Sequence, residues 1–402
     1  MTQTVAELDF SEKTLWQRWS ELREDFIEDL KPEACRSLQR LLETSMDIEL
    51  QDLIGARRWQ HTRLPGRWRN GSYRRGLLTS YGWIPNLHVP RLREGRVRFR
   101  CLKAYARRTS EVDAGVLRLF LAGVSTRSME EVLEPLLGAA SLSAATVSKI
   151  ARALDHLVRQ YHDRRLLDRY RYLMLDGIYL KAKSPASVKR RCILVAYGMT
   201  ADGQRELIDF QLVPQGESQA AWEAFLSRLK ERGLEGRALA MAIVDGNGGL
   251  WNALDLVYPG LARQRCWAHK LRNVANQLPR RLQKPCTSAA HKIYAARSYG
   301  RALVAFRHWK KVWWPVAPKA VRCLEADLES LLVFYRQAPK ELWKTVRTTN
   351  VIERVFREVR RRTRPMSCFQ NRASVERIIF ALFHKQNDRW KKRPLLKTTQ
   401  NS

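Results

Sequence analysis

The chain has 402 residues, with 73 Lys and Arg against 40 Asp and Glu, a formal net charge of +33 and 45% hydrophobic residues. That apolar content excludes a disordered basic tail protein, and the length calls for about two or three domains. Solubility asks for a net charge of only about 2–8 in a small domain, so an excess this large points to a polyanionic partner, most simply nucleic acid.

The seven cysteines (Cys35, Cys101, Cys192, Cys266, Cys286, Cys323, Cys368) are scattered and odd in number, with no C-x-x-C. This suits a reducing cytosol rather than a disulfide framework. Met1 to Asp9 lacks the basic and apolar regions of a secretory signal, and no apolar run approaches the roughly 18–20 residues that span a bilayer. A soluble, cytoplasmic protein with no membrane partner is the expectation.

Apolar positions such as Leu38, Leu41, Leu42 and Met46 give helical spacing up to about Ile54. His61 to Arg100 is dense in Arg, aromatics, Gly and Pro, which predicts turns and short strands. Its Arg74, Arg75 and Arg91, interleaved with Tyr73, Tyr81 and Trp83, suit either a DNA-backbone surface or a small packed β-hairpin. From Val112 to Asp155 three helices are predicted. The first stops at Gly123, the second runs behind Ser125 and Thr126 to Gly138, and the third opens at Ser141 or Ser143 and extends through Leu154. A helical pair of this kind is either a helix-turn-helix exposing Thr146, Ser148, Lys149 and Arg152 or an ordinary packing unit.

From Tyr170 the pattern changes to strands. Tyr172 to Leu180 is an apolar, β-rich run interrupted by Asp176, a strand buried on both faces. A lone carboxylate there costs several kcal/mol unless something neutralises it. Cys192–Met199 and Glu206–Val213 follow, joined through Ala201-Asp202-Gly203, a hairpin signal. Next come an amphipathic helix from Ser218 to Arg232, a strand ending Val244-Asp245-Gly246, a short helix from Gly249 and a strand near Ala262–Trp267. Three meandering strands, then helix, strand, helix and strand, follow the ribonuclease-H order, with the first and fourth strands adjacent. Asp176 and Asp245 would then reach one end of the sheet and begin a site for a hard divalent cation.

His269 to Leu342 carries no strand signal and is predicted to be helical, an insertion before the fold resumes at Thr348. Trp313 and Trp314 within it suit core packing or stacking on an unpaired base. Asn350 can cap a helix with Glu353 at its third position, a capping box; the same geometry can turn Glu353 toward the aspartates. Arg357, Arg360, Arg361 and Arg364 share that helix's face or its flank and suit a phosphate backbone.

In this order and spacing the chain resembles the Mutator-type transposases of bacterial insertion sequences. The matching residues include Tyr73-Arg74-Arg75, Val89-Pro90-Arg91, Gly123-Val124-Ser125-Thr126-Arg127, Asp176-Gly177-Ile178-Tyr179, Glu217-Ser218, Asp245-Gly246, Cys266 with His269, Arg272-Asn273, and Thr349-Asn350 with Glu353-Arg354. Gly177 departs mildly, since Ala is frequent there in the family. The resemblance implies a DDE triad of Asp176, Asp245 and Glu353 as catalytic and metal-binding residues, on a ribonuclease-H-like fold interrupted by a helical insertion.

It also implies Mg²⁺, with Mn²⁺ able to substitute, and in-line phosphoryl transfer without a covalent protein–DNA intermediate. The implied partners are the terminal inverted repeats and target DNA, both double-stranded, held by a homodimer in the synaptic complex. Cys266 and His269 are expected to support the site, because two ligand-type residues are too few for zinc, which takes four. Expected DNA contacts are Arg74, Arg75, Arg91, Arg127, Lys149, Arg272, Arg354, Arg357, Arg360, Arg361 and Arg364.

The expected regions are a helical 1–60, a basic aromatic-rich 61–105, a helix-turn-helix-like 106–168, a first core part 169–268, an all-helical insertion 269–345, and 346–402 completing the core. Two rival readings are a DNA-binding regulator without catalysis, which leaves Asp176 without a purpose, and a structure-selective nuclease, which would cut without joining.

Overall fold

The computed structural model describes residues 26–60, 68–122, 124–138, 142–184, 187–214, 216–364, 369 and 371–395. Residues 61–67, Gly123, Ser141 and Cys368, all used in the expectations above, lie outside the described residues. The chain divides into two compact units between Ala151 and Arg152.

In the first unit, α1 (Phe26–Ile54) packs against a hairpin of β1 (Arg69–Thr79) and β2 (Gly82–Leu92). The strands are longer than the short pieces expected from the glycines and prolines of this segment. Between Arg75 and Leu77 a bulge sets Pro85 and Asn86 of β2 against Gly76 alone, and Leu77, Ile84, Leu87 and Val89 bury the inner face against Met46. Three helices follow: α2 (Ser110–Ala122), α3 (Met129–Leu137) and α4 (Ala144–Ala151). Ser143 accepts the Thr146 N–H at 3.3 Å, as its capping role requires. The third helix stops at Ala151, short of the expected Leu154, which instead opens α5 (Leu154–Asp163) in the second unit. There Leu154 and Val158 are buried and Asp155 pairs with Arg377 at 2.7 Å, which fixes the new helix direction.

The second unit is built on a five-stranded mixed sheet. Its strands are β3 (Tyr170–Ser184), β4 (Ser187–Thr200), β5 (Arg205–Val213), β6 (Met241–Val244) and β7 (Ala262–Arg265), in the order β5-β4-β3-β6-β7. The first three are antiparallel; β6 pairs parallel with β3 and β7 with β6. Gly203, at φ +81°, makes the turn between β4 and β5, in a conformation that L side chains rarely adopt. Leu173, Leu175, Leu194, Ala196 and Val244 pack on α6 (Gln219–Glu231) and α7 (Gly248–Val257) through Trp222, Phe225, Leu226 and Leu250. Each such side chain, fully buried, contributes about 1.5–3 kcal/mol. Within central β3 the run Tyr172–Leu180 is buried as expected except at Gly177 and Tyr179, where the strand emerges; Tyr179 is 40% exposed.

From Trp267 to Val346 the described chain has no strand. It forms α8 (Trp267–Ala275), α9 (Arg280–Tyr294), α10 (Tyr299–Trp313), α11 (Pro318–Glu325) and the short turns α12 (Leu328–Leu331), α13 (Phe334–Gln337) and α14 (Trp343–Val346). Gln264, fully buried on β7, ties this part to the sheet by donating to the Leu331 carbonyl at 2.9 Å and accepting the Phe334 N–H at 2.9 Å. Then come α15 (Asn350–Thr363) and α16 (Arg372–Lys391).

The long α16 was not foreseen within the basic C-terminus. It covers β5 and β4 through Phe383 on Phe210 and Trp390 on Tyr197. Among the described residues no helix is long and apolar enough to cross a membrane.

Candidate active site

Parallel register places the first two carboxylates. Tyr172, Leu173 and Met174 pair with Met241, Ala242 and Ile243, so two residues further on Asp176 lies beside Asp245. All four residues of β6 are buried, so Asp245 is the first residue able to leave the sheet. It does so in a tight turn: its Oδ1 accepts the Asn247 N–H at 3.0 Å, and Asn247 caps α7 through the Leu250 N–H at 3.3 Å. Asp176 is only 8% exposed, and its Oδ1 accepts the Gly177 N–H at 2.9 Å. Burial pushes its carboxyl up to about 7; Asp245 and Glu217 add to the rise while His269 opposes it.

Glu353 arrives from α15, one helical turn in. The expected capping box is not what forms. Thr349 is the N-cap and makes no side-chain cap, so Glu353 falls at the fourth helical position. The Thr349 N–H and hydroxyl donate instead to the buried Cys266 sulfur, at 3.3 and 3.4 Å. Freed from capping, Glu353 Oε1 lies 3.5 Å from His269 Nε2 and 3.4 Å from an Arg272 nitrogen. Cys266, His269 and Arg272 thus hold the start of α15 from the first turns of α8.

His269 joins the three acids electrostatically. The Cys266 thiol raises its imidazole most, against burial, and with Asp176 and Asp245 brings it to about 9. Its Nδ1 is buried without a formed hydrogen bond. Burial alone would raise the Cys266 thiol, but His269 and Thr349 bring it below its ordinary value.

One more acid stands here, quoted above only as part of a motif. Glu217 precedes α6, and its Oε2 accepts from Asn247 Nδ2 at 3.4 Å. Asp176, Asp245 and Glu217 form no ion pair among the described residues, while the cations His269 and Arg272 turn to Glu353. In a chain with 73 Lys and Arg, these three acids keep only the field of His269 against their charge, with no direct ion pair among the described residues. All-oxygen donors with uncompensated charge fit a hard divalent cation such as Mg²⁺. Among the described residues, no three His, Cys, Asp or Glu side chains already stand close enough to share a metal ion.

A family model described as transposase, Mutator family, matches residues 11–393. The chain belongs to the Mutator family of transposases. Named relatives agree. The transposase for insertion sequence element IS905 of Lactococcus lactis is 31% identical over 352 residues, covering 87% of this chain and 88% of that protein. The transposase for element ISRM5 of Rhizobium meliloti is 31% identical over 360 residues, covering 89% of each. The transposase for element IS256 in transposon Tn4001 of Staphylococcus aureus is 31% identical over 348 residues, covering 86% and 87%. The solved Drosophila P element transposase strand transfer complex aligns at a TM-score of 0.29 and 10% identity over 73% of this chain and 81% of that one, too weak a likeness to bear on the argument.

The basic residues expected of this Mutator-family chain fall into two sets. In the first unit Arg74, Arg91, Arg127 and Lys149 are exposed, Arg75 is half-buried with a 3.5 Å contact to the Lys103 carbonyl, and Arg91 lies over the Tyr73 ring. In the second, Arg354, Arg357, Arg360, Arg361 and Arg364 are exposed along α15 or at its end. Arg361 is already engaged, making two hydrogen bonds to Glu358 at 2.8 Å. Arg360 and Arg364 line a cleft of about 440 Å³ with Tyr179 and Lys181 of β3, which leads away from Asp176. Trp309 and Phe306 pack inside the helical part, whereas Trp314 is 41% exposed between Lys310 and Arg322.

Proposed function

We propose that this chain is a DDE transposase that binds the terminal inverted repeats of an insertion sequence and catalyses metal-dependent strand cleavage and strand transfer. Its second unit is a ribonuclease-H-like core whose strand order runs β5-β4-β3-β6-β7, and Trp267 to Val346 is its all-helical insertion. The observation that carries the reading is the register of β3 and β6, which sets Asp176 beside Asp245 with Glu353 one imidazole away.

Asp176, Asp245 and Glu353 would hold Mg²⁺ or Mn²⁺. Such ions activate a water or a terminal 3′-OH and stabilise the leaving oxygen. The protein's own part is positioning. His269 and Arg272 keep Glu353 turned to the sheet end, while Arg354, Arg357, Arg360 and Arg364, which form no ion pair among the described residues, grip backbone phosphates beside it. No side chain serves as nucleophile, so cutting and joining use one site in succession, in a homodimer that holds two ends.

Incubating the protein with an end-containing duplex and Mg²⁺ tests this. Cutting and joining are expected, with Asp176→Asn abolishing both and leaving duplex binding largely intact. Wild-type cleavage by Asp176→Asn would refute the assignment; cutting without joining would leave a nuclease.

A further inference from the structure

Glu217 occupies a position that its role as a helix-flanking residue does not require. The capping of α6 is done by its neighbour, Ser218, whose hydroxyl accepts the Ala221 N–H at 3.2 Å. Glu217 itself turns back over the sheet. There it lies so close to Gly177 that a Cβ at that glycine would stand 2.6 Å from Glu217 Cδ and closer still to Oε1. Gly177 directly follows Asp176, so the absent methyl leaves room for a carboxylate beside the first aspartate. The second aspartate is linked as well. Asn247 donates its backbone N–H to Asp245 Oδ1 at 3.0 Å and its side-chain amide to Glu217 Oε2 at 3.4 Å. With its own carbonyl oxygen fixed as the α7 cap, Asn247 is a rigid spacer between the two acids.

We propose that Glu217 is a fourth carboxylate of the active site, oriented by Asn247 and admitted by Gly177, and that it takes part in holding the divalent cation beside Asp176 and Asp245. This rests on the metal-dependent reading above. Among the described residues none of these three carboxylates has a lysine or arginine as ion-pair partner, and an entering divalent cation would draw them into one site. Two other features of the loop follow. Gly216, at φ +85°, turns the chain so that Glu217 points inward while Ser218 begins the helix. The Cys192 thiol, 3.8 Å from Glu217 Oε1, supplies only a weak donor on the other side, which leaves that oxygen free for a stronger partner.

Mn²⁺ binding by calorimetry on the full chain, without DNA, tests the proposal separately from activity. Glu217→Gln keeps the size of the side chain and is expected to weaken Mn²⁺ affinity by about tenfold or more, within the range of about 10–100-fold that supporting groups of metal sites command. Glu217→Asp, which keeps the charge, is expected to recover part of that loss. Asp176→Asn is the reference. If it loses Mn²⁺ and Glu217→Gln binds as wild type, Glu217 is only a loop residue and the proposal falls while the transposase reading stands. If neither variant changes Mn²⁺ affinity, the metal reading fails and takes the proposal with it. Should Glu217→Gln not fold, Asn247→Ser decides: serine can still cap α7 but lacks the amide that holds Glu217 Oε2, so weakened Mn²⁺ binding supports the proposal and unchanged binding overturns it.

Discussion

At the scale of single residues, the acids are held by groups that do no chemistry themselves. His269 reaches Glu353 at 3.5 Å, and Cys266 anchors the backbone from which Glu353 projects through Thr349. Removing one such supporting group from a metal site costs about 10–100-fold in activity or metal affinity. His269→Ala is therefore expected to lower the cleavage rate by about that factor while circular dichroism stays near wild type. An unchanged rate would mean that Arg272 alone orients Glu353. The acids also make the metal-free protein sensitive to pH. Asp176 binds its proton more tightly when folded, at about 7 against an ordinary 3.8, because burial disfavours its charge. His269, at about 9 against 6.5, likewise holds its proton more tightly in the folded state. In both cases the folded state binds more protons than the unfolded one, so stability is present at low pH and lost as pH rises through these windows. With a chelator present, the thermal midpoint is expected to fall between about pH 5 and about pH 8, and Asp176→Asn to flatten the lower part of that fall. A midpoint that rises over the same range would contradict the burial of an uncompensated acid.

At the scale of elements, β3 and β6 were legible because one apolar run carries Asp176 in its middle and the other ends on Asp245, and strand adjacency followed from the order of elements. The start of α15 was misread by one residue: Asn350 looks like a cap, but Thr349 takes that place and gives its hydroxyl to Cys266, a partner 83 positions away that no local pattern reveals. The same limit hid Glu217, whose neighbours Gly177 and Asn247 come from two other elements. The α16 helix was lost for a different reason. Its residues Arg377, Asn387 and Trp390 are polar or amphipathic yet buried, which blurs the apolar stripe of an amphipathic helix. Asn387 explains its own burial, since its side chain accepts the Leu207 N–H at 2.8 Å and donates to the Leu207 carbonyl at 3.1 Å, pairing both backbone groups of an edge-strand residue. Asn387→Leu would leave the Leu207 N–H unpaired, at about 1–3 kcal/mol, while the carbonyl keeps the Tyr161 hydroxyl as donor. Urea unfolding should show a loss of that order, and a loss below about 0.5 kcal/mol would indicate that water reaches the strand edge.

For the whole molecule, charge is the property that the sequence states most plainly and the fold distributes. The excess of 33 positive charges is not neutralised where it matters for the site: Arg354, Arg357, Arg360 and Arg364 are exposed along or at the end of the helix that carries Glu353 and form no ion pair among the described residues. Arg361 and Arg362 on the same helix share Glu358, whose carboxyl Arg361 chiefly holds down at about 2. A guanidinium that already has a carboxylate must break or share that pair to take a phosphate, so it releases less counterion on binding. The two sets should therefore separate in a salt titration of duplex binding. For the wild-type chain, log affinity is expected to fall linearly with log salt, with a slope of about −0.9 for each phosphate contacted. Replacing Arg357, Arg360 and Arg364 together by Ala should make that slope shallower by about 0.9 per lost contact, whatever the sequence of the duplex. Arg361→Ala should change it less than any one of those three. If Arg361→Ala has the larger effect, the Glu358 pair opens on DNA and the phosphate path runs along the other side of α15; if neither changes the slope, the backbone is held elsewhere and the exposed arginines of α15 serve solubility alone.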